Sequence, residues 1–359
     1  MAKFKIGLIG FSIGGQVFHA PFIAGNPDLE LYKVTARKAD QQALLASRYP
    51  TAIAVPSADD IINDPDVDLV VVATSNDVHF ELTKQALEAG KHVVVEKPFT
   101  NTVAEADALL ALAKEKGLLL TVHHNARFHS DYKTVKKLIE SGRLGPLVNY
   151  QARYDRFRNF LRPGAWREID LPGSGIHYDL GAHLLDQALQ LFGKPERIFA
   201  DLRRQREGAQ AVDDFEFILS YPKLKVSLFG QMLAKEPTPR FALYGWNGSF
   251  VKHGVDPQEN LLRAGALPHE STDWGKEGEE IQGVLNIIEN GADHVEKVVS
   301  EVGTGQDFYK NVASTLKGES SFTVTAAQGR DVIRLLELAE QSWAEQRTIT
   351  LAPDDLIAY

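Results

Sequence analysis

A chain of 359 residues, 44% hydrophobic and 24% charged, has the composition of a globular protein, and its length points to two domains. A net charge of −9 argues against a nucleic-acid surface, and the absence of cysteine excludes disulfides and thiolate chemistry. No apolar run reaches spanning length, and Met1-Ala-Lys-Phe-Lys5 enters a strand without a charged and apolar leader, so no membrane partner and a cytoplasmic setting are expected.

Residues 4–9 read as a buried strand that runs into Gly10-Phe-Ser-Ile-Gly-Gly15, with a helical pattern starting near Gln16. This is G-x-G-x-x-G with Ser12 in the second glycine place. A tight turn at Gly10 and close helix–strand packing at Gly15 would bring a helix N-terminus to a pyrophosphate. A plain glycine turn has the same residues; the flanking strand and helix favour the phosphate reading. The second strand, residues 29–36, ends in Thr35-Ala36-Arg37-Lys38. A dinucleotide fold reads its adenosine ribose here, with Asp or Glu for a 2′-hydroxyl and Arg for a 2′-phosphate. Two cations and no acid favour NADP over NAD; the alternative is a solvated basic turn.

Ser57 is placed as the N-cap of a short helix, and residues 69–73 form the next strand. Thr74-Ser-Asn-Asp-Val-His79 follows, with Asn76 as the cap of a helix over 78–89 that Gly90 stops. The stretch Val93-Val-Val-Glu-Lys-Pro-Phe99 puts Lys97 at the carboxyl end of a buried parallel strand, on the rim where open α/β sheets bind ligands. Pro98 restricts the residue before it and so aims the amine, against the plainer reading of a solvated lysine at a strand end. Thr102-Val-Ala-Glu105 is a capping box on a helix ending near Gly117, and 118–123 is the last strand of this run. Apolar strands alternating with helices indicate a parallel doubly wound sheet. The expected division is a dinucleotide-binding Rossmann domain over 1–123 and an α+β domain over 124–359.

In the second part a helix covers about 131–141. Long β stretches follow at 147–158, 197–206, 215–221, 225–232 and 240–252, mostly alternating as in an antiparallel sheet with one covered face. Val226, Leu228 and Met232 fall on one face and Phe229 on the other. A helix is expected over 177–192, a last amphipathic helix over about 325–345, and a short strand over 348–351. Within Gly173-Ser-Gly-Ile-His-Tyr-Asp-Leu-Gly-Ala-His-Leu-Leu-Asp186, Asp179 and His183 are spaced to share one helix face. An imidazole beside a carboxylate can serve as general acid or base near neutral pH. The same segment admits a packed, structural histidine. A metal set of His177, His183 and Asp186 lacks a supporting motif, and no metal is expected.

Taken together, Gly10-Phe-Ser-Ile-Gly-Gly15, Glu96-Lys97-Pro98, and Asp179 with His183 resemble the glucose–fructose oxidoreductase / inositol dehydrogenase (Gfo/Idh/MocA) family over essentially the whole chain. Arg240-Phe-Ala-Leu-Tyr-Gly-Trp-Asn-Gly-Ser-Phe250 and Gly254-Val-Asp-Pro-Gln-Glu259 look like its branch of NADP-dependent scyllo-inositol dehydrogenases. The resemblance implies a Rossmann domain followed by an α+β domain with a large, mostly antiparallel open sheet. It implies Gly10, Ser12, Ile13 and Gly15 under the pyrophosphate and Arg37 with Lys38 at the 2′-phosphate. Thr74, Asn76 and His79 would border the cofactor, and Glu96 and Lys97 would flank the nicotinamide, with Lys97–Pro98 cis. Asn125, Arg127 and Trp166 would line the substrate pocket with the catalytic set Lys97, Asp179 and His183. One face of the second sheet would meet a partner in a homodimer or homotetramer.

The reaction so implied moves a hydride between NADP(H) and a secondary alcohol or ketone of a sugar or cyclic polyol. His183 would take the hydroxyl proton, Lys97 would hydrogen-bond the same oxygen, and Asp179 would orient the substrate or the imidazole. A non-catalytic NADP-sensing regulator, a cofactor-retaining glycosidase and an enzyme holding NADP tightly while using two sugars are the alternatives.

Overall fold

Strand β1 (Phe4–Ile9) lies inside a parallel sheet with β2 (Leu29–Thr35), β3 (Ile53–Val55), β4 (Leu69–Val72), β5 (His92–Glu96) and β6 (Leu120–His123). The strand order is β3-β2-β1-β4-β5-β6. The β-branched runs in β4 and β5 are sealed from solvent on both faces, as a sheet covered by helices on both sides requires. The order reverses between β1 and β4, which opens a crevice at their carboxyl ends. This is a computed structural model; it describes residues 2–162 and 164–359, and the side chain of Trp166 lies outside the described residues.

Local signals set the helix ends. Thr102 caps the helix Val103–Lys116: its hydroxyl accepts the Glu105 N–H at 3.3 Å, and the Glu105 carboxylate accepts the Thr102 N–H at 3.1 Å. Gly117 ends that helix with φ +66°. Asn76 does not cap the next helix as expected. Its amide donates to Asn101 at 3.0 Å, and the chain enters His79–Glu88 through a 3₁₀ turn, Asn76–Val78.

Two segments from far along the chain pack with this sheet. The first unit comprises Met1–Asn125, Gln258–Trp274 and Thr304–Arg330, whereas the sequence reading assigns all of 124–359 to the second domain. The later segment is anchored by polar contacts. Thr121 Oγ1 donates to the Val324 carbonyl at 2.6 Å, and Arg330 pairs with Asp107 at 2.9 Å. Composition alone does not mark such a return.

The second unit comprises Ala126–Pro257, Gly275–Gly303 and Asp331–Tyr359. Its strands are β7 (Leu147–Arg153), β8 (Arg197–Arg203), β9 (Asp214–Ser220), β10 (Lys225–Gln231), β11 (Phe241–Gly245), β12 (Gly248–Lys252), β13 (Gly283–Glu289), β14 (Ala292–Val298) and β15 (Ile349–Thr350). They form one sheet in the order β14-β13-β12-β11-β7-β10-β9-β8-β15, antiparallel except where β10 runs parallel to β7. The stretch 240–252, read from sequence as one run, is the β11–β12 hairpin, and the β13–β14 hairpin is additional to the expected strands.

One face of this sheet carries the core: Tyr150, Phe217, Leu219, Val226, Leu228 and Phe241 are all buried. On the other face Phe229 lies under the Arg153 guanidinium, 3.6 Å from the ring centroid. That cation–π contact covers the residue within the chain. The exposed apolar positions of that face cluster instead toward one edge: Tyr244, Val284, Ile288 and Val295, the last 61% exposed. Among the described residues no helix is long and apolar enough to cross a membrane.

Candidate active site

Gly10 leaves β1 with φ +100°, and a Cβ there would come within 2.3 Å of the Ala73 carbonyl oxygen at the end of β4. A Cβ on Gly15 would lie 2.0 Å from the Gly10 carbonyl. Glycine at these two places lets the turn cross the sheet's crevice and start a helix against the strand. Thr35 Oγ1 accepts the Gly10 N–H at 2.7 Å and fixes the turn. The helix opens as a π-turn, Gly14–His19, with Ser12 and Ile13 exposed at the loop tip. An exposed tip, a backbone cradle without Cβ atoms and a helix N-terminus fit a dinucleotide pyrophosphate.

Arg37 and Lys38 follow β2 and are exposed. Arg37 Nε donates to the Pro56 carbonyl at 3.1 Å, which steadies the guanidinium through its base. Thr74 is half-buried after β4. His79 is buried between two loops. Its Nδ1 and Nε2 lie 2.9 and 3.3 Å from the carbonyl oxygens of Pro98 and Thr74, and burial pushes its pKa down. It braces the loops after β4 and β5.

Lys97 is half-buried at the carboxyl end of β5, and the Lys97–Pro98 bond is cis. Glu96, expected along the nicotinamide, turns inward to His19 and His123. Asn125 follows β6, with its Oδ1 buried and without a hydrogen-bond partner.

The second unit places its residues separately. Arg127, expected to line the substrate pocket, grips Asp186 through Nε–Oδ2 at 2.8 Å and Nη2–Oδ1 at 2.5 Å. Burial opposes the Arg127 charge, but the Asp186 carboxylate more than offsets this and raises its pKa. The pair is a bidentate strut for the helix Ala182–Phe192, which accounts for both residues structurally. Asp179 stands in a π-turn, His177–Gly181, that runs directly into that helix and His183. Such π-turns recur at functional sites. Asp179 Oδ1 is 3.2 Å from Arg167 Nε, and the Tyr154 ring stands edge-on to His183 with centroids 6.1 Å apart. His177 Nε2 is 3.3 Å from Glu340 Oε1, beside a cavity of about 990 Å³ whose lining includes Arg203, Arg204 and Trp343 but neither Asp179 nor His183.

The two halves of the chain match the two halves of one family description. Residues 4–124 match the oxidoreductase family's NAD-binding Rossmann fold, and residues 136–351 match its C-terminal alpha/beta domain. The chain belongs to the Gfo/Idh/MocA oxidoreductase family. It is 44% identical over 350 residues to the Escherichia coli oxidoreductase YdgJ, covering 97% of this chain and 99% of that one. It is 38% identical over 347 residues to IolW of Bacillus subtilis, named scyllo-inositol 2-dehydrogenase (NADP(+)), covering 97% and 96%. The structure of the Bacillus subtilis oxidoreductase YvaA superposes with a TM-score of 0.91 at 37% identity, covering 98% of this chain and 100% of that one.

As a member of this family the chain is an oxidoreductase with an NAD(P)-binding Rossmann domain and a C-terminal domain built on a mostly antiparallel sheet. The residues that the sequence reading passes over are those around the named ones. Arg167 pairs with Asp179, and His19, His123 and Tyr309 surround Glu96.

Proposed function

We propose that this protein is an NADP(H)-dependent oxidoreductase that interconverts a secondary alcohol and a ketone on a sugar or cyclic polyol of the inositol kind, in the cytoplasm. The observation that carries the reading is Lys97, held half-buried at the carboxyl rim of β5 in a sheet whose glycine turn fits a dinucleotide. The similarity to IolW, whose name states both NADP and scyllo-inositol, supports the choice of cofactor and substrate class.

When bound, NADP(H) supplies or accepts the hydride. Gly10, Ser12, Ile13 and Gly15 hold its pyrophosphate, and Arg37 with Lys38 holds its 2′-phosphate. Lys97 donates a hydrogen bond to the reacting oxygen and stabilises its developing negative charge. His183 takes the hydroxyl proton during oxidation and returns it during reduction. Asp179, paired with Arg167, orients the polyol. Exposed apolar residues on the open sheet face suit a homodimer or homotetramer.

The test is a steady-state screen of inositols, aldoses and their keto forms with both cofactors. Turnover of a cyclic polyol or sugar with NADP(H) supports the reading. Nicotinamide binding without turnover on any of them would replace it with a sensing role.

A further inference from the structure

The proposed chemistry leaves unused a buried polar group within the first unit. Glu96 ends β5 and precedes Lys97. Its Oε1 meets His19 Nε2 at 2.7 Å and His123 Nδ1 at 2.9 Å, and its Oε2 accepts the Lys97 backbone N–H at 3.0 Å. His19 Nδ1 in turn lies 2.5 Å from Tyr309 Oη. His19, His123 and Tyr309 are sealed from solvent, and the His123 ring packs against His19 and Phe308 with centroids 4.4 and 4.6 Å away.

The protons in this group can be placed. Burial favours the neutral acid at Glu96, yet the hydrogen bonds from His123 and His19 prevail and hold the carboxyl well below its ordinary range. Burial pushes His19 down to about 4, so its ring is neutral at pH 7 and carries one N–H. An ionised Glu96 needs that N–H on Nε2, which leaves Nδ1 to accept from Tyr309. Burial raises the Tyr309 phenol well above its ordinary value, so it keeps the proton it donates. Every bond then points one way, from Tyr309 through His19 to Glu96, joined there by His123 and the Lys97 main chain.

We propose that His19, His123 and Tyr309 are positioning residues: they clamp Glu96, and through its second oxygen the main chain at Lys97, so that the amine is presented in one place. The inference rests on the reading of Lys97 as the group at the reacting oxygen. Its physical basis is that a misplacement of about 1 Å at such a group can cost about 10²-fold in rate. The three ligand-type atoms also resemble a metal set. Their N···O separations of 2.7 and 2.9 Å are those of charge-assisted hydrogen bonds, whereas a shared tetrahedral zinc would spread them to roughly 3.3 Å.

The experiment compares two His123 substitutions. The amide of His123→Asn can keep an N–H where Nδ1 donates; His123→Leu keeps bulk but no donor. His123→Leu should lower kcat by about 10–100-fold, with KM and NADPH affinity within about twofold, and His123→Asn should recover most of that loss. A donor-independent, purely structural role would lower melting temperature in both without this split. Tyr309→Phe gives an independent reading if His123→Leu does not fold: kcat should fall at least about threefold at unchanged KM.

The clamp is overturned if His123→Leu turns over within twofold of the parent, if Asn is no better than Leu, or if Tyr309→Phe changes nothing. Stoichiometric metal in the purified parent would also overturn it. Lys97→Met is measured alongside. An active Lys97→Met removes the underlying reading and the clamp with it; an inactive one beside a fully active His123→Leu removes the clamp alone.

Discussion

Replacing Arg37 with Asp should reverse or abolish the cofactor preference. Arg37 is exposed after β2, and its Nε is engaged with the Pro56 carbonyl, so its terminal nitrogens are the part that a 2′-phosphate would meet. A paired contact of this kind in a buried site would be worth several kcal/mol, but exposure to water screens it. Two unit charges about 4 Å apart interact by about 1 kcal/mol in water and about 4 kcal/mol at an effective dielectric near 20. Taking the low end, with a modest addition for hydrogen bonding, gives about 1.4 kcal/mol, or about tenfold in kcat/KM for NADP(H) over NAD(H). An aspartate there removes the attraction and adds a repulsion of similar size, which carries the ratio through unity. The assay is kcat/KM for both cofactors at saturating polyol, in the parent and in Arg37→Asp, at low and high salt. The preference should shrink with salt, because the contact is exposed. Equal use of both cofactors by the parent, or an unaltered preference in Arg37→Asp, would refute the reasoning.

Four further outcomes are expected. Lys97→Met should lower turnover by about 10²–10⁴-fold while NADPH affinity and circular dichroism stay near the parent's, and turnover within a few-fold of the parent would contradict its role. Oxidation should rise with pH through an ionisation that His183→Asn removes; an unchanged profile in that variant would move the proton transfer elsewhere. Stability should fall in mild acid, because His19 drops from 6.5 to about 4 on folding and Glu96 lies below its ordinary value. Both groups bind protons more readily unfolded, so the urea midpoint should decline as pH falls from 6.5 towards 4, and a flat midpoint would count against the buried network. Light scattering at micromolar concentration should give at least a dimer, and Ile288→Asp with Val295→Lys should shift it towards monomer; a monomeric parent would exclude the sheet as an interface.

Five of the six strands of the first sheet were legible because each carries its own signal, an apolar run bounded by a glycine turn, a capping box or a glycine stop; β3, three residues long with Ile53 and Ala54 exposed, carries none. The same local logic puts Lys97 at the end of β5 and Asp179 with His183 in one helical run over 177–192. It fails where a residue's role depends on a distant partner. Nothing near Arg127 announces Asp186, and nothing near His79 announces the carbonyls of Pro98 and Thr74. The β13–β14 hairpin escapes the alternating pattern because its exposed face carries Val284, Ile288 and Val295, so apolar residues fall on both of its faces. Asn76 was misplaced for a related reason: a cap-like residue before a helix can donate to a neighbouring loop instead.

The return of residues 304–330 to the first unit has a consequence for how the protein is made. Asn125 leaves the ribosome about 200 residues before Arg330, a delay of roughly 10–40 s at about 5–20 residues per second. Throughout that interval Glu96 and His19 wait for Tyr309, Thr121 waits for the Val324 carbonyl, and Asp107 waits for Arg330. The nascent nucleotide-binding half therefore stays unfinished while the other half is synthesised. A gene fragment ending at Asn125 encodes all six parallel strands but not the chain that closes over them.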